Sequence, residues 1–593
     1  LTVVAQPTEL FKRLLLGRPV RSDRLSHTLL PKRIALPVFA SDALSSVAYA
    51  PDEILLTLSI AGATAYMYSP WIALAVALVM VTVVLSYRQN VHAYPSGGGD
   101  YEVATVNLGP RYGLGVASAL LVDYVLTVAV STASGVSNLG SVVPWVAHHK
   151  VSIAVLAVVL LTAINLRGIR ESGNAFAVPT YGFMIVIVGM VATGLIRLFV
   201  LGDDLQAPSA GLTISAEQAH LTGLGFAFLL LRTFSSGCAA LTGVEAISNG
   251  VPAFRPPKSR NAATTLALLG GIAITMMVGI VALAKATNLQ YVEDPHTQII
   301  SGPAGYQQKT VTVQLAETVF GGGSWMVYVV AAMTALILFL AANTAFNGFP
   351  VLGSILAQDR YMPRQLHTRG DRLAFSNGIL FLSFFAVVLI VGFHAEVTRL
   401  IQLYIVGVFV SFTLSQTGMV RHWNRLLRAE TDQATRRRMQ RSRLINMFGL
   451  TLTGAVLIVV LVTKFLLGAW IAILAMAFMY LLMLGIRRHY DGVARELTPT
   501  AERQVLPARN HAIVLVSKVH LPTLRAVSYA RATRPDTITA VTVNVDDAAT
   551  AALQQQWDAR GISVPLTVVE SPFREITRPI IDFVNSVRRE SPR

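Results

Sequence analysis

The sequence predicts an α-helical polytopic membrane protein that carries a small α/β domain at its C-terminal end. Of the 593 residues, 53% are hydrophobic and only 13% are charged, against a charged share of about 25% in ordinary soluble domains. Such a chain has too little polar surface to cover a water-soluble globule. This excludes a soluble enzyme, a disordered chain and a collagen-like chain. The single cysteine, Cys238, excludes a disulfide framework and a cysteine-based metal cluster.

Twelve hydrophobic stretches are long enough to cross a hydrocarbon core of about 30 Å, which takes about 20 helical residues. They are numbered spans one to twelve and fall at 34–58, 70–88, 113–134, 151–167, 174–199, 222–251, 262–286, 324–348, 377–394, 399–419, 447–466 and 468–486. Lysine and arginine collect in alternate loops, which predicts that both termini are cytoplasmic. The net charge of +16 is then explained by this topology and by anionic lipid head groups, rather than by nucleic acid.

The predicted organisation has five parts. They are a basic cytosolic segment (1–33), spans one to ten as the transport core (34–419), a basic cytosolic loop (420–446), spans eleven and twelve (447–486), and a cytosolic α/β domain (487–593). The N-terminal segment has no apolar core followed by a small-residue cleavage site, so we do not expect a cleaved signal peptide.

The C-terminal domain alternates predicted strands and helices. Strands are expected at 511–517, 537–545 and 564–570, and helices at 521–533, 547–560 and 576–587. This order predicts a parallel sheet with right-handed crossovers, and it resembles a universal-stress-protein-like or Rossmann-like half. The domain has no glycine-rich phosphate loop, since its glycines are Gly492 and Gly561, so nucleotide binding, dimerisation and regulation all remain open.

Three carboxylates lie deep inside predicted spans, where each one costs a few kcal/mol and is therefore a functional hypothesis. The first is Asp42, which shares span one with several serines and precedes Pro51. This composition predicts two half-helices with a break between them, as transporters use to expose backbone groups to an ion. The alternative is a kinked helix in which Asp42 pairs with Arg232, the basic residue that we place well inside a span.

The second carboxylate, Asp123, lies centrally in span three. Thr127 and Ser131 follow it at i+4 and i+8, which places three oxygen-bearing side chains on one helical face. Hydroxyl groups often bond back to their own helix, but together with Asp123 they favour an ion path. Tyr404 in span ten is a weaker candidate, because an aromatic residue in a membrane helix is more often a packing or interfacial residue.

The third carboxylate, Glu245, lies in span six, which runs about 30 residues and is longer than one crossing requires. Glycines at irregular intervals predict a second broken helix. Breaks in spans one and six are typical of a five-plus-five inverted repeat with the substrate site between them. The loop 94–99 is either a plain turn or part of a gate.

Segments 35–50, 94–99 and 242–250 together resemble the amino acid–polyamine–organocation superfamily, with its LeuT-like five-plus-five repeat. Within it they are similar to the KimA-type bacterial potassium importers. The resemblance implies uptake of potassium with protons across the bacterial plasma membrane, a homodimer formed through the C-terminal domain, and cyclic di-AMP as an inhibitory signal, for which the sequence shows no site. It also implies an ion site, with potassium on the first four of these residues: Asp42, Tyr49, Asp123, Thr242, Thr127, Ser131, Glu245 and Tyr404.

An argument from the residues also favours a cation. Span one has no glycine between Ile34 and Ile60, and Asp42 at its expected break would repel a substrate carboxylate. Oxygen ligands suit a hard monovalent ion. Three acids around one such ion leave surplus negative charge, so at least one should hold a proton: Glu245, with Asp123 as the second candidate. We expect no cofactor and no enzymatic activity. An amino acid or polyamine symporter, a passive channel and a membrane sensor remain alternatives.

Overall fold

The computed structural model describes residues 31–97, 99–167, 173–218, 221, 223–301, 306–367, 376–496, 510–571 and 575–590. Most of the predicted N-terminal segment, 1–30, lies outside the described residues. The chain divides into two compact units, one ending at Asp491 and the other beginning at Gly492.

The first unit consists of long apolar helices, and ten helices in the described ranges are long and apolar enough to cross a membrane. In chain order the helices are α1 (Lys32–Ser59), α2 (Ser69–Ala93), α3 (Gly99–Leu108), α4 (Pro110–Gly140), α5 (Lys150–Leu166), α6 (Gly173–Phe199), α7 (Leu224–Gly237), α8 (Glu245–Asn249), α9 (Lys258–Ala286), α10 (Val311–Phe320), α11 (Trp325–Gln358), α12 (Ser376–Gly392), α13 (Val397–Ala429), α14 (Gln433–Lys464) and α15 (Ala469–Glu496). Short helices Pro144–His148 and Pro295–Gln298 lie in the connections.

Each predicted span coincides with helical structure. Spans four and nine correspond to α5 and α12, which have 17 residues each and are therefore shorter than a usual crossing. The number of twelve crossings accordingly stays a prediction, whereas the polytopic helical architecture is confirmed.

The loop predicted at 420–446 is mostly helical, which corrects the sequence reading. Helix α13 continues to Ala429 and α14 begins at Gln433, so only a short turn separates them. Asp432 caps α14 by accepting a hydrogen bond from the Thr435 backbone N–H at 2.8 Å. Hydrogen bonds from Thr435 lower the pKa of Asp432, because they stabilise the charged carboxylate.

Helix α1 lies at the centre of this unit. It packs against α6, α7, α9 and α11, and every residue from Ala40 to Ser59 is buried. The predicted break in span one is wrong, because α1 is a continuous α-helix that contains both Pro37 and Pro51. The Ser45 hydroxyl donates to the Asp42 carbonyl at 2.6 Å, so a residue that suggested a break instead bonds back to its own helix.

Span six contains a break, as the glycine spacing predicts. Helix α7 ends at Gly237, a 3₁₀ turn follows over Cys238–Leu241, and the short helix α8 starts at Glu245. Between them Thr242 is extended and Gly243 has a φ of +82°. That left-handed conformation is readily adopted only by glycine, which fixes the position of the break.

The second unit contains a three-stranded parallel sheet in the order β1–β2–β3. The strands are β1 (His511–Leu515), β2 (Thr537–Asn544) and β3 (Leu566–Glu570), and the helices are α16 (Leu521–Ala532), α17 (Asp547–Ala559) and α18 (Thr577–Glu590). The alternating order of the prediction and the parallel pairing are confirmed. Trp557 lies in the core, where its Nε1–H donates to the Val564 carbonyl at 2.9 Å. The likeness to universal stress proteins stays a prediction.

Candidate functional site

The break in span six lies directly against Asp42. A Cβ placed on Gly243 would be 2.6 Å from the Ala43 backbone nitrogen and 2.8 Å from Asp42 Cγ, closer than real Cβ atoms come to other atoms. The absence of a side chain at Gly243 therefore allows the two helices to meet at Asp42. This contact brings residues about 200 positions apart in the sequence into one site.

A cluster of hydroxyl groups continues the site away from Asp42. The Ser46 hydroxyl hydrogen-bonds to Tyr49 Oη at 2.9 Å and also to Thr242 Oγ1. Thr242 in turn donates to the Ala239 carbonyl at 3.0 Å. Ser46 was not among the predicted site residues, although its spacing of four positions from Asp42 on one helix could have identified it.

Asp123 and Thr127 lie on α4, opposite α13. The Thr127 hydroxyl donates to Tyr404 Oη at 3.0 Å, so the weakest of the sequence candidates is in direct contact with a stronger one. Gly407 on α13 lies against α4 here, because a Cβ at its position would be 3.3 Å from the Ala119 carbonyl oxygen and 3.9 Å from Asp123 Cβ. Ser131 is buried one turn further along α4, and no described hydrogen bond joins it to the other site residues.

The three carboxylates are buried without a basic partner. Asp42, Asp123 and Glu245 are 7%, 3% and 5% exposed, and each interacts electrostatically with at least one of the others. Asp123 Oδ1 and Glu245 Oε2 are buried and have no hydrogen-bond partner. Within the described part of the chain, no lysine, arginine or histidine forms an ion pair of 4.0 Å or less with any of them.

The acids do not by themselves form a metal centre. In the described ranges, no group of three or more His, Cys, Asp or Glu side chains is arranged to hold a metal ion. A cation bound here would therefore take oxygen atoms from the surrounding hydroxyl groups as well as from the carboxylates. That donor set is suitable for a weakly held monovalent ion.

Two family models and a curated relative match the chain. The family model described as amino acid permease matches residues 39–486, and the model of the KimA potassium transporter C-terminal domain matches residues 509–593. The chain is 38% identical to the potassium transporter KimA of Bacillus subtilis (strain 168) over 580 residues, which cover 98% of this chain and 90% of that relative. The chain belongs to the KimA family of amino acid permease-type transporters. This confirms the resemblance drawn from the sequence, and a member of this transporter family is not an enzyme.

The alternative prediction, in which Arg232 pairs with Asp42, is wrong. The charge of Arg232 acts on Glu53 and on Lys464 instead. Lys464, at the end of α14, is 0% exposed and donates a hydrogen bond to Ser236 Oγ. The sequence alone did not identify this buried lysine as a candidate.

The C-terminal unit has a cavity of about 370 Å³ over the ends of β1 and β2. Its polar lining residues are Ser517, Thr542, Asp546 and Thr550, and no lysine or arginine is among the described residues that line it. Asp546 also occupies the N-terminus of α17, where its carboxylate accepts the Ala548 N–H at 3.0 Å. These groups do not fit a ligand phosphate, so this cavity gives no support to a cyclic di-AMP site.

Proposed function

We propose that the chain is a secondary active transporter that imports potassium across the bacterial plasma membrane, as a potassium/proton symporter with both termini in the cytoplasm. The observation that supports this most directly is the group of three buried carboxylates, which form no ion pair with a basic residue in the described part of the chain. A permanently unpaired charge inside a membrane protein is costly. A transported cation can balance this charge while it is bound, without being a permanent part of the protein.

The donor groups support potassium over a harder divalent ion. Asp42 and Asp123 supply negative charge, while Tyr49, Thr242 and Tyr404 present neutral oxygen atoms. Neutral oxygens replace part of the hydration shell of a monovalent ion without holding it too tightly to leave. The name of the 38% identical relative, a potassium transporter, supports the same ion.

Charge balance supports proton coupling through Glu245. One monovalent cation beside three ionised carboxylates would leave two uncompensated charges in a region of low dielectric. A proton on Glu245, with Asp123 as the second candidate, would lower this surplus when potassium is bound. Because each ion then makes the other more favourable, the two would move together.

The test is rubidium or potassium uptake into proteoliposomes that contain the full-length protein, with and without an inwardly directed proton gradient. The Glu245→Gln variant keeps the size and hydrogen-bonding capacity of the side chain but cannot bind and release a proton. We expect it to lose gradient-driven accumulation, while the exposed Glu496→Gln control behaves as wild type. Accumulation that still follows the proton gradient in Glu245→Gln would refute the coupling role.

A second candidate is an amine substrate, because the amino acid permease model covers most of the helical unit and a polyamine would also bind buried acids. The same vesicles distinguish the two. Under the potassium proposal, an excess of a linear diamine or of neutral amino acids leaves rubidium uptake unchanged. Competitive inhibition by the diamine would favour the polyamine function.

We further propose that the C-terminal unit mediates homodimerisation and regulation. Its surface exposes apolar side chains that a monomeric domain would be expected to cover, among them Leu515, Ile576 and Ile581, which are 58%, 57% and 53% exposed. Mass measurement of the detergent-solubilised protein, with and without residues 490–593, tests this: the full chain should be a dimer and the truncated chain a monomer.

A further inference from the structure

Another buried carboxylate, Asp100, lies outside the eight predicted site residues. It is 1% exposed and stands in the first turn of α3, immediately after the loop 94–99. A Cβ on Gly99 would be 1.7 Å from Asn249 Oδ1 at the end of α8, so the start of α3 packs against the helix that begins with Glu245. The charges of Asp100 and Glu245 interact, which places Asp100 near the central site and on its loop 94–99 side.

Oxygen atoms from two helices, α2 and α13, surround the Asp100 carboxylate. Tyr87 Oη on α2 donates to Asp100 Oδ2 at 2.6 Å, and Ser411 Oγ on α13 donates to the same oxygen at 2.7 Å. Ser415 on α13 also interacts with this carboxylate and accepts a hydrogen bond from Asn90 Nδ2 at 3.1 Å. All five side chains are buried, with at most 1% exposed.

Two oxygen atoms in this group have no partner. Asp100 Oδ1 and Asn90 Oδ1 are both buried and accept no hydrogen bond, although most buried polar atoms in proteins are satisfied. Among the described residues, no lysine or arginine forms an ion pair with Asp100. Glu53 is a useful contrast, since it is similarly buried but the charge of Lys464 acts on its carboxylate.

We propose that Asp100, Asn90, Tyr87 and Ser411 form a second site for a monovalent cation, on the side of the central site that faces the loop 94–99. Both hydroxyl groups donate to Oδ2, which leaves Asp100 Oδ1 and Asn90 Oδ1 to face the ion while the hydroxyl lone pairs complete its shell. Carboxylate, amide and hydroxyl oxygens are the ligands that a hard cation prefers. This inference rests on the proposed function, because the occupant is the transported ion.

The position gives the site a role in release. The loop after span two is predicted to be cytoplasmic, so an ion that leaves the Asp42 site toward the cytoplasm would pass Asp100. A site with one carboxylate instead of three would bind the ion more weakly than the central site does. It would therefore accept the ion from the central site without retaining it, as sequential sites do in conducting pathways.

The experiment is to locate rubidium by anomalous scattering in crystals of the full-length protein grown with rubidium in place of potassium. In wild type we expect a peak at the Asp42 site and a second peak between Asp100 Oδ1 and Asn90 Oδ1. Asp100→Asn should lose only the second peak. A wild-type map with the central peak alone would overturn the second site, and so would a second peak that persists in Asp100→Asn. A map with no central peak would instead contradict the proposed function.

Uptake measurements add a readout that does not need crystals. Asp100→Asn should slow rubidium uptake while leaving the concentration dependence of binding at the central site unchanged, and Asp100→Glu should restore the rate. Glu102→Gln, which removes a half-exposed acid two residues along the same helix, is the matched control and should behave as wild type. If Asp100→Asn does not fold, Asn90→Ser tests the same oxygen shell, and an unchanged second peak in that variant would overturn the proposal.

Discussion

Replacing Lys464 by methionine tests whether the buried charges of α1 and α14 support each other. The strongest charge interaction of the Glu53 carboxylate is with the Lys464 ammonium, and the reverse also holds. Both side chains are buried, at 2% and 0% exposed. Ser236 links Lys464 to α1, since it accepts a hydrogen bond from Lys464 and hydrogen-bonds to Thr57 Oγ1 at 3.2 Å.

The expected magnitude follows from this burial. Removing one member of a buried charge pair costs about 3–5 kcal/mol, because the remaining charge has no compensation. In Lys464→Met the Glu53 carboxylate would keep the Thr398 hydroxyl, which donates at 2.7 Å, but would lose its main positive neighbour. In Glu53→Gln the ammonium would be left in the same position. Glu53 and Lys464 do not come within the 4.0 Å of an ion pair, so that amount is an upper limit. Each single variant should therefore lose part of it, and the double variant should lose less than either.

The assay is the loss of monodisperse full-length protein in detergent after heating, followed by gel filtration, for the two single variants and the double variant. Lys150→Met is the matched control. Lys150 pairs with Glu396, and their side chains are 41% and 48% exposed, respectively. An exposed pair of this kind contributes about 0–1 kcal/mol. If the double variant loses the sum of the two single losses, the charges act independently and the reasoning is refuted.

Three further changes have defined expectations. Gly243→Ala should lower thermal stability and abolish rubidium uptake, since the left-handed φ alone costs about 1–2 kcal/mol and the Cβ would overlap Asp42; wild-type uptake in this variant would show that the break can move. Thr127→Val should destabilise the protein by about 1 kcal/mol in the same heating assay by removing the hydrogen bond to Tyr404, and Tyr404→Phe should add little to it; fully additive losses would contradict this pairing. Gly99→Ala should displace the start of α3, so uptake should fall, and unchanged uptake would contradict tight packing at that loop.

The helices and the C-terminal strands could be predicted from composition and periodicity. Long apolar runs predict helices from the local sequence alone. In roughly the last hundred residues, the alternation of strands and helices predicts a parallel sheet. The break at Gly243 was also predictable, because a left-handed backbone needs a glycine. The predicted break at Asp42 was wrong, because proline and serine do not by themselves end a helix. The Ser45 hydroxyl instead donates a hydrogen bond to a carbonyl within α1.

Other features depend on contacts between distant segments and could not be read from the chain. Lys464 lies in span eleven, where one lysine hardly changes the mean hydropathy. Glu53, the acid with which its charge interacts, lies on α1, far away in the sequence. Asp100 was overlooked because it follows a predicted loop rather than lying inside a span. Only the packing of α3 against α8 and α13, together with the Tyr87 hydrogen bond from α2, makes this residue as buried as the acids of the central site.

The buried acids of the helical unit fall into two groups, and the difference between them bears on function. The charge of Lys464, a cation that belongs to the protein, acts on the Glu53 carboxylate. In the described part of the chain, no basic residue is among the main charges that act on Asp42, Asp52, Asp100, Asp123 or Glu245. A chain that can supply a lysine to one acid could supply one to the others, at less cost than leaving them bare. Acids kept without a basic partner therefore argue for charge that arrives from outside, which is what a cation transporter requires.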